Sequence, residues 1–473
     1  MSVGLLAVIL VLLGYGLSFS LKPLPRGLNR SGEVLGLAET QVSFLKDLTY
    51  LTDDGVRCHE QEIFDTAFKL IDEAQSYILI DWFLFNPFLG KQEQAHRELC
   101  RELTARLLAK KAANPAIAID FITDPINLAY GGGDLVELDQ LRSAGVNVVV
   151  TDLDRLRDSN LVYSPLWRVL FAWMGHAKSY GYIPHPFSEG MPPVNLRSYL
   201  SAANFKANHR KVLLADSPTG WLSLVSSANP HDASSAHSNV GLLIRGDFAR
   251  EVYASEQAVA RLSKARLQPV DFGPREADPP ELAACLLTEQ AIERELLGRI
   301  NELGQGDRIT VAMFYLSSRP VIRALKAAAG RGAAIRLILD PSNDAFGRSK
   351  YGIPNQTTAY ELADCAELRW YKVSGEQFHT KLVLIERVSG TNALLLGSAN
   401  LTRRNIGGFN LETDVLVSGA AEQPVFAVVR DYLARLWLNQ DGSYTQPAGA
   451  YAPPSAVKRG LTRFFEVSGW STF

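Results

Sequence analysis

At 473 residues the chain is long enough for two domains or one duplicated unit. Its 47% hydrophobic and 21% charged content excludes an intrinsically disordered chain. With 48 Lys and Arg against 50 Asp and Glu the net charge is -2, so there is no basic excess to neutralise phosphates non-specifically, and no nucleic-acid partner is expected.

Residues 1–21 are largely apolar and long enough to cross a bilayer core as a helix. No basic residue precedes them, while Lys22, Arg26 and Arg30 follow. That pattern predicts an uncleaved membrane anchor, with a cleaved signal segment ending near Ser18-Phe19-Ser20 as the alternative.

Glu62 to Ala74 has the periodicity of an amphipathic helix, and Tyr77 to Phe85 that of a strand. A second helix over His96 to Ala113 leads to a strand that ends in Asp124-Pro125-Ile126-Asn127, and Asn147 to Thr151 is a third strand. The same order returns later: a helix over Glu289 to Leu303, a strand over Ile309 to Leu316 and a helix over Val321 to Ala329. A strand from Ala334 then ends in Asp340-Pro341-Ser342-Asn343, and Leu368 to Tyr371 completes the copy. Alternating strands and helices predict sheets with helices on their faces, in two copies of one α/β unit. Pro269, Pro274, Pro279 and Pro280 mark a linker over 266–282. The units are 40–265, with an insertion at 155–207, and 283–440; 441–473 is a tail.

The insertion carries Trp167 and Trp173 and is either a helix on the core or a lid that touches a bilayer. The tail, with Lys458, Arg459, Arg463, Phe464 and Phe465, is either packed or laid on an anionic membrane. Cys58, Cys100, Cys285 and Cys365 are scattered without metal-site spacing and are expected as free thiols.

Each unit ends in the same short pattern. His209, Lys211 and Asp216 are followed by Ser227 and Asn229; His379, Lys381 and Glu386 are followed by Ser398 and Asn400. On a strand, His and Lys at i, i+2 share a face, so an imidazole and an ammonium share a pocket. Two such pairs suit displacement at a phosphodiester, where one histidine attacks phosphorus and the other protonates the leaving oxygen. Neither a metal nor a cofactor is implied, and no Gly-rich nucleotide loop is present.

These residues resemble the paired H-x-K-x(4)-D signature of the phospholipase D superfamily, with Glu386 standing where the family usually has Asp. The resemblance implies two pseudo-symmetric α/β sandwich repeats that share one active site at their interface. It also implies a covalent phosphohistidine. In the family an acidic residue often holds one histidine, and Glu412 stands at about that place in the second half, whereas Asn239-Val240-Gly241 stands in the first. Glu412 is therefore expected behind His379 as nucleophile, with His209 as general acid. Lys211, Lys381, Asn229, Asn400, Ser227 and Ser398 are expected on the phosphate oxygens, and Asp216 and Glu386 as braces of the pocket.

The apolar N-terminus and the aromatic insertion point to a phospholipid substrate at a bacterial inner membrane. The catalytic part is expected on the cytoplasmic side, with the periplasm as the alternative. Hydrolysis to phosphatidic acid and cardiolipin synthase-like transfer both stay open. So do a nuclease of the same superfamily and an idle membrane scaffold.

Overall fold

A computed structural model describes residues 3–90, 96–175, 181–185, 192–275, 280–345 and 348–473, with side chains from residue 10 and none over 344–348. Parts of the expected insertion (176–180 and 186–191) and linker (276–279) lie outside the described residues.

Two large sheets account for the two halves. Strand β1 (Leu35–Leu37) is followed by β2 (Val42–Leu51), β3 (Arg57–Gln61), β4 (Tyr77–Trp82), β5 (Ala118–Thr123), β6 (Asn147–Val150), β7 (Lys211–Ser217), β8 (Gly220–Ser226) and β9 (Asn239–Arg245). The second half contributes β10 (Leu282–Thr288), β11 (Arg308–Met313), β12 (Ala334–Leu339), a short ribbon of β13 (Asp344–Ala345) and β14 (Arg348–Ser349), then β15 (Glu367–Tyr371), β16 (Lys381–Glu386), β17 (Thr391–Gly397), β18 (Thr413–Ala420) and β19 (Thr445–Pro447). One sheet has the order β3-β2-β9-β8-β7-β4-β5-β6, the other β1-β10-β18-β17-β16-β11-β12-β15-β19.

The inner run β9-β8-β7-β4-β5-β6 matches β18-β17-β16-β11-β12-β15 strand for strand. In both, the first three strands and the fourth are antiparallel neighbours, while the last three are parallel. Parallel neighbours need a crossover, and the helices Leu99–Ala113 and Val136–Ser143 supply it between β4 and β5 and between β5 and β6. Ile63–Glu73, before β4, buries Ile63, Phe64, Ala67, Phe68, Leu70 and Ile71, the stripe its periodicity predicts. The expected duplication is thus visible as topology. The outer strands differ. β1 pairs with β10, so this strand of the first half extends the second sheet and not the first.

Each sheet is covered on both faces. One apolar cluster lies outside the first sheet and another outside the second. The largest joins them, taking Val225, Val240 and Leu242 from one sheet, Leu394, Leu396 and Val415 from the other, and Phe248 and Phe426 from the helices that follow β9 and β18. Burial on both faces explains why these strands are continuously apolar. Within this interface Arg210, the middle residue of the first H-x-K, is fully buried and binds Glu256 at 2.9 Å and Glu289 at 2.6 Å. Glu289 belongs to the second half, so the ion cluster ties the halves together beside the first histidine. The four cysteines are free thiols.

The N-terminal segment differs from expectation. Val3–Leu21 is a helix, yet among the described residues no helix is long and apolar enough to cross a membrane. Its described end docks on the protein instead: Phe19 lies 4.2 Å below the Arg168 guanidinium and its carbonyl accepts from the Asp158 amide. Ser20 is buried. The helix that carries the segment expected as an anchor packs on Tyr163–Leu170 of the insertion. In that insertion Trp167 is buried and Trp173 is exposed.

Candidate active site

The strands that open at Lys211 and Lys381 are equivalent, and each histidine sits two residues before its strand. What fixes each histidine comes from the opposite half. Asn208 forms a parallel bridge with Leu411, and Phe378 one with Ser238. One residue further along, Glu412 is brought to His209 and Asn239 to His379. The Nδ1 of His209 lies 3.0 Å from a Glu412 oxygen, and the Nδ1 of His379 lies 3.1 Å from Asn239 Oδ1. Glu412 therefore does not back His379, as expected from the sequence; it holds the histidine of the other repeat. The reason is that the pairing runs between halves, which spacing along one half does not reveal.

The serines are committed to these partners. Ser398 Oγ donates to Glu412, whose other oxygen accepts from Asn405, and Ser227 Oγ donates to Asn239 at 3.0 Å. Ser227 and Ser398 thus brace the residues behind the histidines, not the phosphate oxygens expected for them. Asn229 and Asn400 do line the cavity. Asn400 Oδ1 is buried without a partner.

The lysines are fully buried, and each spends one of its three donors on the carbonyl of its own histidine, at 2.6 Å for Lys211 and 2.7 Å for Lys381. Phe83 and Phe314 are the equivalent residues just past β4 and β11. Each ring centroid is 5.2 Å from a lysine Nζ, and the same rings pack on His209 at 4.8 Å and His379 at 5.1 Å. These aromatics carry no motif and could have been found only by aligning the two halves.

The repeated Asp-Pro turns also have a role. Asp124 accepts from the Asn208 amide at 2.7 Å, and Asp340 from the Phe378 amide at 2.9 Å, so each fixes the residue before a histidine. The last residue of the echo behaves differently. Asn127 accepts from the Phe85 amide and donates to the Phe83 carbonyl; in the second half Asn355, not Asn343, does the same for Leu316 and Phe314.

Asp216 and Glu386 lie near the far ends of β7 and β16. Asp216 caps the start of β4, accepting from the amides of Gln75, Ser76 and Tyr77 and from Ser76 Oγ. Among the described residues, the Glu386 side chain reaches Arg308, at 3.8 Å. Neither lines the cavity.

Burial sets the electrostatics. It lowers the pKa of His209 and of His379, and the nearby lysines add to the effect, so both imidazoles are biased towards the neutral form. Burial also pushes Lys211 down to about 7 and Lys381 well down, countered in both by Glu412 and Asp414. It lifts Glu412 to about 8, countered by Lys211 first. An arriving phosphodiester anion would favour the charged form of every cation here. The cavity above the histidines has a volume of about 570 Å³ and is lined by Phe83, Ile126, Phe205, Phe314 and Tyr315, with Arg404 among the polar residues. Arg404 is buried and among the described residues has no carboxylate partner; its donors go to Ser159, the Phe205 carbonyl and the Gly469 carbonyl. His231 and His237 also line the cavity, and burial pushes them down to about 4 and about 3. Among the described residues no three His, Cys, Asp or Glu side chains cluster as metal ligands.

The sequence model of the family described as "Cardiolipin synthase, PLD-like domain" matches residues 299–437, which contain His379, Lys381, Asn400 and Glu412. Residues 299–437 are thus similar to a phospholipase D-like domain. The fold of the chain is similar to that of the phosphatidylserine synthase of Haemophilus influenzae Rd KW20, with a TM-score of 0.57 at 12% identity over 97% of this chain and 98% of that one. Other solved structures match less well. The polyphosphate kinase of Porphyromonas gingivalis gives 0.47 at 13% identity, over 90% of this chain and 55% of that one. Nuc of Salmonella typhimurium, a phospholipase D family member, gives 0.26 at 16% identity, over 34% of this chain and 97% of that one. No curated protein sequence matches the chain.

Proposed function

We propose that the protein is a phospholipid phosphodiesterase or phosphatidyltransferase that works through a phosphatidylhistidine on His209. The observation that carries this is the unequal backing of the two histidines: a carboxylate behind His209, a neutral amide behind His379. Ionised Glu412 on Nδ1–H, favoured over the neutral acid by charged Lys211 and by the positive ring formed on attack, fixes the tautomer that leaves Nε2 with its lone pair and stabilises that ring. Nε2 of His209 forms the bond to phosphorus as the bond to the leaving oxygen breaks, and protonated His379 gives that oxygen its proton. His379, now neutral, takes a proton from water or an alcohol, whose oxygen displaces His209 from phosphorus. This reverses the roles expected from the sequence.

Lys211, Lys381, Asn229 and Asn400 are assigned to the non-bridging oxygens, where preorganised donors act on the charge that moves in the transition state. The aromatic lining of the cavity supports a lipid substrate over a polynucleotide. So do the cardiolipin synthase description of the matched family and the phosphatidylserine synthase of similar fold. Contact with the membrane is assigned to the apolar surface of the protein. Incubation with phosphatidylglycerol and phosphatidylethanolamine vesicles, read by mass spectrometry, tests the reading. Cardiolipin plus glycerol identifies transfer and phosphatidic acid identifies hydrolysis, each abolished in His209→Ala. No turnover of either lipid refutes it.

A further inference from the structure

The C-terminal helix Ala456–Ser468 has its apolar side outward. Its exposed residues are Ala456, Val457, Gly460, Leu461, Phe464 and Val467, and its buried residues are Thr462 and Glu466. A stripe at 457, 461, 464 and 467 is the face that a helix of a globular protein normally turns to the core. Here hydrogen bonds through the other face fix the reverse orientation: Lys458 to Gln356 at 2.6 Å, Thr462 with Thr357 at 3.0 Å, and Arg463 to Glu361 at 2.9 Å.

The outward apolar surface does not stop at this helix. Trp470, just beyond it, is half-exposed and meets the Tyr163 ring at 5.8 Å. Tyr163 opens the insertion helix, which leaves Val169, Leu170 and the following Trp173 exposed. The N-terminal helix packed on it exposes Leu10, Val11, Leu17 and Leu21. Three separate segments of the chain therefore leave apolar side chains outward around one join. That join borders the catalytic cavity, because Arg404 lines the cavity and donates to the Gly469 carbonyl.

The charges indicate the occupant. Lys458 and Arg459 are half-buried at the edges of the stripe, and among the described residues no carboxylate forms an ion pair with either; Arg463 is paired with Glu361, and the one acid of the helix, Glu466, faces inward. Burial raises the Glu466 pKa to about 7, which weakens its charge further. A second copy seated face to face would set these cations against their own equivalents. We propose that this surface docks on an anionic lipid bilayer and sets the mouth of the cavity at headgroup level. The proposal rests on the lipid reading above for its purpose, but its evidence is separate.

The full chain is floated with phosphatidylcholine vesicles, with and without phosphatidylglycerol, beside a Leu461→Ser, Phe464→Ser double variant and a Trp173→Ser variant. Both remove exposed side chains, and circular dichroism checks the fold. The wild type is expected to prefer the anionic vesicles, and the double variant to bind about tenfold or more weakly, since each large apolar side chain withdrawn is worth about that factor. Trp173→Ser, with a third segment altered, is expected to weaken binding too and so covers any misfolding of the double variant. Turnover of a dispersed short-chain phosphatidylglycerol is expected to survive in both. Unchanged flotation overturns the proposal, as does a wild-type dimer that the double variant dissociates while vesicles bind neither protein. If vesicle binding behaves as expected but wild type turns over no lipid, the docking surface stands and the proposed activity falls.

Discussion

The carboxylate of Glu412 in the second repeat lies 3.0 Å from Nδ1 of His209 in the first. Its pseudo-symmetric counterpart Asn239 lies at almost the same distance from His379. The two-fold relation is preserved in the backbone and broken in the charge. In the proposed mechanism this one carboxylate, at one of two equivalent positions, separates the roles of the two histidines.

Replacing Glu412 with Gln keeps the shape but offers His209 either an amide donor or a neutral acceptor, and leaves the Ser398 and Asn405 donors poorly matched. Steady-state kinetics are expected to show kcat lower by about 10²-fold or more with KM little changed, since tautomer control is lost while the oxygen clamp remains. A loss confined to KM would contradict this role.

Asn239→Asp tests the other side. His379 must be protonated to act as the acid, and its pKa is lowered by burial first and by Lys381 next. A carboxylate at Asn239 favours the protonated ring and raises that pKa, so the basic limb of the pH–kcat profile is expected to move up by about 1 unit or more. An unmoved limb would mean that His379 is not the group titrating there.

The carboxylate of the first signature is assigned to structure. Asp216→Ala removes the acceptor for three successive amides at the start of β4 and is expected to cost about 1–3 kcal/mol. Urea unfolding should show the lower midpoint, while kcat stays within about twofold of wild type. A loss of kcat comparable to that of a histidine variant would place Asp216 in the chemistry.

The repeated His-x-Lys pairs and the Asp124 and Asp340 turns could be read from the sequence because they are local and duplicated. The α/β alternation was legible for the same reason, and the duplicated sheet order bears it out. The contacts that assign roles were not. Glu412 and Asn239 act across the interface, at sequence separations of 203 and 140, so counting along one half pairs Glu412 with the wrong histidine. Asn355 takes the part of Asn127 although Asn343 stands in the matching place, because the described backbone delivers a later residue to the same carbonyl. The outward stripe of the C-terminal helix has the periodicity of a buried one, and periodicity does not say which side is covered.

The most direct test is to mix the protein with labelled phosphatidylglycerol, quench before the second displacement, and map the lipid-modified peptide by mass spectrometry. The account predicts a phosphatidyl group on His209, present in wild type and more abundant in Asn239→Asp at high pH, where the acid is better protonated. The group on His379, or no covalent adduct in an enzyme that turns over, would contradict it.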